Sequence, residues 1–313
     1  MSASPKQPDT AASTPEAAPG GIATAFRVAS GPVPTLAAAW LAAFLLAFYH
    51  ARSDALLMAL GFAGAIVAGM VGIGGAIVMI PLLLYVPPLV GQRALDIHTI
   101  SGITMAQVAA AGLAGLLGHL HYRPVRNTLV TTLGSGMMAG SLTGAALSRL
   151  ISPRGLTALF AALALVAAVV MLAVRTSQPR ASSGGTPVTP AEKVNPYLAV
   201  GSGIAVGLLA GMVGAGGGFL LVPLMIYVLH VPLRSAISAS LGIVVLAGVA
   251  GMIGKAATGQ IEWLPAIALV VGALPGARLG ASLSRRMHTE LLNLVLALLI
   301  GLVALKMWWE ILT

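Results

Sequence analysis

Long apolar runs separated by short polar connections dominate the chain. Stretches free of Asp, Glu, Lys and Arg cover residues 28–51, 97–122, 127–148, 155–174, 235–254, 263–277 and 291–305. A hydrocarbon core about 30 Å thick takes about 20 helical residues, so most of these stretches predict one span each. The first of them is apolar over residues 34–49. Two further stretches are longer: 38 uncharged residues between Asp54 and Arg93, and 40 between Lys193 and Arg234. Straight helices of that length would overshoot the bilayer, so each predicts a turn back. A glycine cluster lies near each midpoint: Gly72, Gly74 and Gly75 in one, Gly214, Gly216, Gly217 and Gly218 in the other. Glycine interrupts a helix and takes positive φ without steric cost. Each stretch therefore predicts a helix, a glycine break and a shorter helix carrying Pro81 or Pro223, with Pro87 and Pro88 closing the first hairpin.

The pattern recurs. Residues 68–86 (AGMVGIGGAIVMIPLLLYV) and 210–228 (AGMVGAGGGFLLVPLMIYV) match at 11 of 19 positions with an offset of 142. Gly118-His119-Leu120-His121-Tyr122 matches Gly259-Gln260-Ile261-Glu262-Trp263 at offset 141, and Gly140 and Gly144 match Gly276 and Gly280 at offset 136. The duplication thus covers a whole half, as internal repeats do. Each half holds five apolar segments. An odd number of crossings reverses the second half, the inverted repeat of secondary transporters. Basic residues follow successive helices (Arg123 and Arg126, then Arg149 and Arg154), so loop charge does not assign sidedness.

Composition narrows the class. Of 313 residues, 58% are hydrophobic and 8% charged, against roughly 25% charged in soluble domains. That excludes an ordinary soluble enzyme and a nucleic-acid binder; the expected partners are the lipid bilayer and a small anion. The formal charge of +9 is spread singly over short connections, as where loops meet anionic headgroups. There is no cysteine, so no disulfide framework. The expected fold is all-α and polytopic, two inverted repeats each with a glycine-broken helical hairpin. The expected division is a disordered tail over 1–33, without the pattern of a signal peptide, an extra transmembrane helix over 34–53, repeat one over 54–175, a polar linker over 176–194 and repeat two over 195–313.

Backbone that leaves the helix inside a bilayer must be buried in protein or line a cavity. Two such breaks at matching positions point to a central site. The helix after each break starts with unpaired amides that favour an anion. The eight acids (Asp9, Glu16, Asp54, Asp96, Glu192, Glu262, Glu290 and Glu310) lie in tails or near the ends of apolar stretches, so no carboxylate is expected at depth and no metal site or cofactor motif is evident. Arg278 interrupts its apolar run and is the candidate charged ligand, while Lys255, near a helix end, reads as an anchor snorkelling to the interface. Thr99, Ser101, Thr104, Gln107, Ser238 and Ser240 follow the hairpins and offer hydroxyl and amide donors. His98 is a candidate for proton coupling. No catalytic constellation is found: there is no HExxH and no acid pair.

The paired Gly-x-Gly-Gly segments ending in Pro-Leu, the Ala239-Ser240-Leu241 element and the Gly259-Gln260-Ile261 motif resemble the TauE/SafE family of sulfite exporters, also called the toluene sulfonate uptake permease group. The resemblance covers residues 55–312. The second half matches better, since Ala76 stands where a third glycine is common. It implies transport of sulfite, sulfonates or related sulfur oxyanions in the bacterial inner membrane, with export and uptake both open. A passive anion channel and an intramembrane enzyme are the alternative readings.

Overall fold

The computed structural model describes residues 52–71, 75–119, 127–176, 196–229, 231, 233–284 and 289–312. The expected tail, nearly all of the expected extra helix, the linker beyond Thr176, and Gly72 and Gly74 lie outside the described residues.

The described residues are all-α, with no strand among them. The helices are α1 (Arg52–Val71), α2 (Ala76–Leu89), α3 (Ile97–His119), α4 (Asn127–Leu147), α5 (Pro153–Thr176), α6 (Pro196–Val213), α7 (Gly218–Tyr227), α8 (Leu233–Ala257), α9 (Trp263–Ser284) and α10 (Thr289–Leu312). Residues 153–170, 196–213 and 263–280 are long and apolar enough to cross a membrane. A 3-10 turn at Ser148–Leu150 follows α4, and Ser152 caps α5 by accepting the Gly155 amide at 3.2 Å, with Pro153 in the first helical position. The expectation that Pro87 and Pro88 close the first hairpin is corrected: α2 runs through both, and the chain turns at Val90 and Gly91. Proline lacks a donor but keeps its carbonyl, and Pro87 accepts from Val90 at 3.2 Å and Gln92 at 2.9 Å.

Helix boundaries follow the offsets of the sequence repeat. α1 and α6 end 142 residues apart, at Val71 and Val213, and α2 and α7 begin 142 apart, at Ala76 and Gly218. α4 and α9 begin 136 apart, as do α5 and α10. Packing is reciprocal between the halves: α1 lies along α9, α6 along α4, α3 against α8, and α5 against α10.

Glycine sets the closeness of the two longest contacts. A Cβ on Gly136, Gly140 or Gly144 of α4 would overlap the carbonyl oxygen of Val200, Ile204 or Leu208 on α6. From the other side, a Cβ on Gly207 or Gly211 would overlap the carbonyl of Met137 or Ser141. Gly272, Gly276 and Gly280 of α9 stand in the same relation to Met58, Phe62 and Ile66 of α1. In lipid, where apolar burial gives helices little reason to associate, such backbone contact supplies the packing. Gly207→Ala therefore forces two backbones apart, whereas Gly201→Ala, earlier on α6, meets open space. The first is expected to lose at least about 2 kcal/mol through overpacking and the second to stay near wild type. Thermal midpoints of the two purified variants check this; equal midpoints would remove the close contact from the account.

Candidate functional site

The break between α6 and α7 is built by glycine. Gly214, Gly216 and Gly217 have φ of +83°, +64° and +73°, and every residue over 214–217 is buried. Leaving the helix frees backbone groups on both sides of the break. On the α6 side, the Thr104 hydroxyl reaches the Gly214 carbonyl at 3.0 Å, sharing its one proton with the Ile100 carbonyl at 2.8 Å, and the Met212 carbonyl accepts from Lys255 Nζ at 3.1 Å. On the α7 side, the amides of Gly216, Gly217, Gly218 and Phe219 donate to no described acceptor. Buried amides without partners are rare in proteins, and at the start of a helix they attract negative charge.

Lys255 sits at the other end of this break. Its side chain is 0% exposed. Four oxygens surround Nζ: Ser148 Oγ at 2.7 Å, Ser101 Oγ at 2.8 Å, Gln260 Oε1 at 2.9 Å and the Met212 carbonyl at 3.1 Å. No carboxylate lies within ion-pair distance among the described residues. Glu310 pairs with Lys306 at 3.5 Å and accepts the Tyr85 hydroxyl at 2.9 Å, and Glu262 accepts the Thr99 hydroxyl at 3.4 Å. Charge-assisted hydrogen bonds contribute about 1.5–3 kcal/mol each. They offset the desolvation of the ammonium, which costs several kcal/mol, without cancelling its charge. The site is a buried amine in a water-poor setting, held among the described residues by neutral oxygens alone.

Local folding explains how the cage closes. α8 ends in a Schellman motif: Gly259 takes φ +71°, its amide donates to Ala256 at 3.1 Å, and the Gln260 amide donates to Lys255 at 2.9 Å. This returns Gln260 over the last turn, where its side-chain amide nitrogen donates to Thr258 Oγ1 at 2.7 Å and to the Ala145 carbonyl at 3.2 Å. Ser148 is delivered by the 3-10 turn after α4, and Ser101 by the first turns of α3. α3 crosses this region closely, since a Cβ on Gly102 would overlap the Gln260 carbonyl and one on Gly214 the Ser101 carbonyl.

The structure brings together Ser101, Thr104, Gly214, Gly216, Gly217 and Gly218 of the expected site. Gln107 is 4% exposed, and its Oε1 has no partner among the described residues. His98 Nδ1 is also buried without one, while Asp96 accepts the His98 amide at 3.2 Å. Ser240 is buried on α8, and the Ser238 side chain lies outside the described residues. Gly75 caps α2 with φ −38°, a right-handed conformation unlike that of Gly217 before α7. Thr99 is turned to Glu262 and has no part in the cage. Arg278 is exposed on α9 and touches none of the cage residues.

Lys255 is the main correction. It does not snorkel, because the three side chains around it offer oxygens where a helix end would offer water or headgroups. Ser148 and Gln260 escaped sequence reasoning as site residues. The one signal for Gln260 was its place in the recurring Gly-Gln-Ile motif; Ser148 had none.

Thr104→Val keeps the shape but removes the hydroxyl that the buried Gly214 carbonyl shares with Ile100. It is expected to lose about 1–3 kcal/mol, whereas Thr104→Ser is expected to retain most of the stability. Thermal midpoints in one detergent distinguish the two; an unchanged midpoint for Thr104→Val would detach Thr104 from the break.

Comparisons with known proteins bear on what this site serves. The family described as sulfite exporter TauE/SafE matches residues 57–307. A probable membrane transporter protein of Bacillus subtilis, YunE, is 28% identical over 271 residues, covering 82% of this chain and 98% of that protein. A probable membrane transporter protein of Xylella fastidiosa strain 9a5c is 30% identical over 267 residues, covering 82% of this chain and 96% of that protein. No solved structure matches.

Proposed function

The chain belongs to the sulfite exporter TauE/SafE family and is a membrane transporter, and from that premise we propose that it is a multi-pass permease of the bacterial cell membrane for a small sulfur-containing anion. The substrate class is sulfite, a sulfonate or a related sulfur oxyanion. The observation that supports this reading is the Lys255 amine, with no carboxylate beside it among the described residues, at one end of a buried glycine break whose other end holds four amides with no backbone acceptor among those residues. A sulfur oxyanion head has several acceptor oxygens and suits a cluster of amides better than a monatomic halide does. Ser101 and Thr104 line the same break. Positive charge in the account rests on Lys255; Arg278, exposed on α9, stands outside it.

The two halves, 54–175 and 195–313, are read as inverted repeats, each with a glycine-broken hairpin, and transport as alternating access around the site between them. The matching helix boundaries and the reciprocal packing of α1 on α9 and α6 on α4 support this reading. Backbone-to-backbone glycine contacts leave few side chains interlocked across these pairs, which favours the sliding of one half on the other.

Purified protein in liposomes, tested with labelled sulfite, sulfate, thiosulfate, sulfoacetate and taurine, checks the substrate class. At least one sulfur anion is expected to show saturable counterflow, in which unlabelled anion inside accelerates uptake. Flux that never saturates would indicate a channel, and a panel that moves no faster than in empty liposomes would refute the substrate class.

A further inference from the structure

The four oxygens around Lys255 make a cation site in their own right. All are neutral, and they come from four separate places: the start of α3, the turn after α4, the end of α6 and the residues after α8. Three of them also have donors of their own turned away from the centre. The Ser101 hydroxyl donates to the His98 carbonyl at 2.8 Å; the Ser148 hydroxyl has the Ala145 carbonyl at 2.6 Å as its shorter acceptor, with Gln260 Oε1 of the cage at 3.0 Å as the longer one. The Gln260 amide nitrogen donates to Ala145 and Thr258. Lone pairs are what remain to face the cage centre, and the fourth group, the Met212 carbonyl, has only lone pairs to offer. An interrupted helix whose last carbonyls join hydroxyl and amide oxygens is the donor set with which membrane carriers hold a monovalent coupling cation. Rings of neutral oxygen replace the hydration shell of potassium in the same way. The spacing of 2.7–3.1 Å around Nζ suits a cation of ammonium or potassium size. It is wider than the contacts of about 2.0–2.6 Å that magnesium and calcium require.

We propose that this cage is a monovalent-cation site which the chain fills with its own tethered ammonium. The positive charge that a dissociable coupling ion would bring is built in, so anion movement needs no sodium or potassium. The flux arm of the test rests on the transporter reading; the binding arm does not.

Lys255→Met keeps the apolar stem and vacates the position of Nζ; Lys255→Ala vacates stem and head. Thermal midpoints of wild type and both variants are measured in matched ammonium, potassium, sodium and choline chloride. Wild type is expected to be indifferent to the salt. At least one variant is expected to gain about 3 °C or more in ammonium or potassium over choline, with sodium weaker, as binding to the folded state alone would give. In liposomes with a transported anion, wild-type flux is expected to be equal in all four salts, and variant flux to rise at least about fivefold in ammonium or potassium over choline. Folded variants with one midpoint in every salt would overturn the cage as a cation site. Wild-type flux that stops in choline would overturn the built-in charge. If no anion of the panel moves, the transport reading fails, while the midpoints still decide the cage.

Discussion

The hydrogen bond from Lys255 to the Met212 carbonyl ties the parts of this molecule together. The glycine break frees that carbonyl by ending α6 two residues before Ala215. A freed carbonyl buried in a membrane protein needs a donor, and here the donor is a cation. The same ammonium needs further oxygens, which draws in Ser101 from α3 and Ser148 from the turn after α4. It also requires the Schellman turn that returns Gln260 over α8. One break in one helix therefore fixes contacts among three others, α3, α4 and α8. The bonds are to neutral groups, so the charge is satisfied as a donor and remains unneutralised as a charge. This combination suits a site that must attract an anion and release it.

The glycines serve two physical purposes. Over 214–217 they supply backbone conformations that other residues resist, and the amides that follow have no backbone acceptor among the described residues. Along α4, α6 and α9 they remove side chains so that backbones touch. The second use places α6 directly on α4, whose end leads into the turn that delivers Ser148. Any shift of α6 along α4 therefore moves Met212 relative to Ser148, and Lys255 bonds to both.

Much of the fold was legible because membrane helices are written in long local runs. The ends of α1 and α6, the break after Val213 and the equivalence of the halves could all be read from apolar length, glycine and offset. Ser101 and Thr104 were legible as hydroxyls following a break. Lys255 was not, because its partners Ser101 and Ser148 are 154 and 107 residues away and only folding brings them close. Position near a helix end suggested water, whereas three side chains supply the oxygens instead. Arg278 shows the converse: a residue count places it deep in its run but does not say which way its side chain faces, and it faces outward from α9. Pro87 and Pro88 were read as a stop, yet a helix tolerates proline in a last turn whose carbonyls are still used.

Replacing Gln260 with Glu would set a carboxylate where an amide oxygen now lies 2.9 Å from the ammonium, neutralising the charge without moving it. Calorimetric affinity for a transported sulfur anion, measured on wild type and Gln260→Glu at equal folding, is the most direct test of the central claim. Gln260→Glu is expected to be at least as stable as wild type and to bind the anion about tenfold or more weakly, a loss of about 1.4 kcal/mol or more. An affinity equal to wild type in a folded Gln260→Glu protein would contradict it, since the anion would then be indifferent to the one buried charge the account places beside the break.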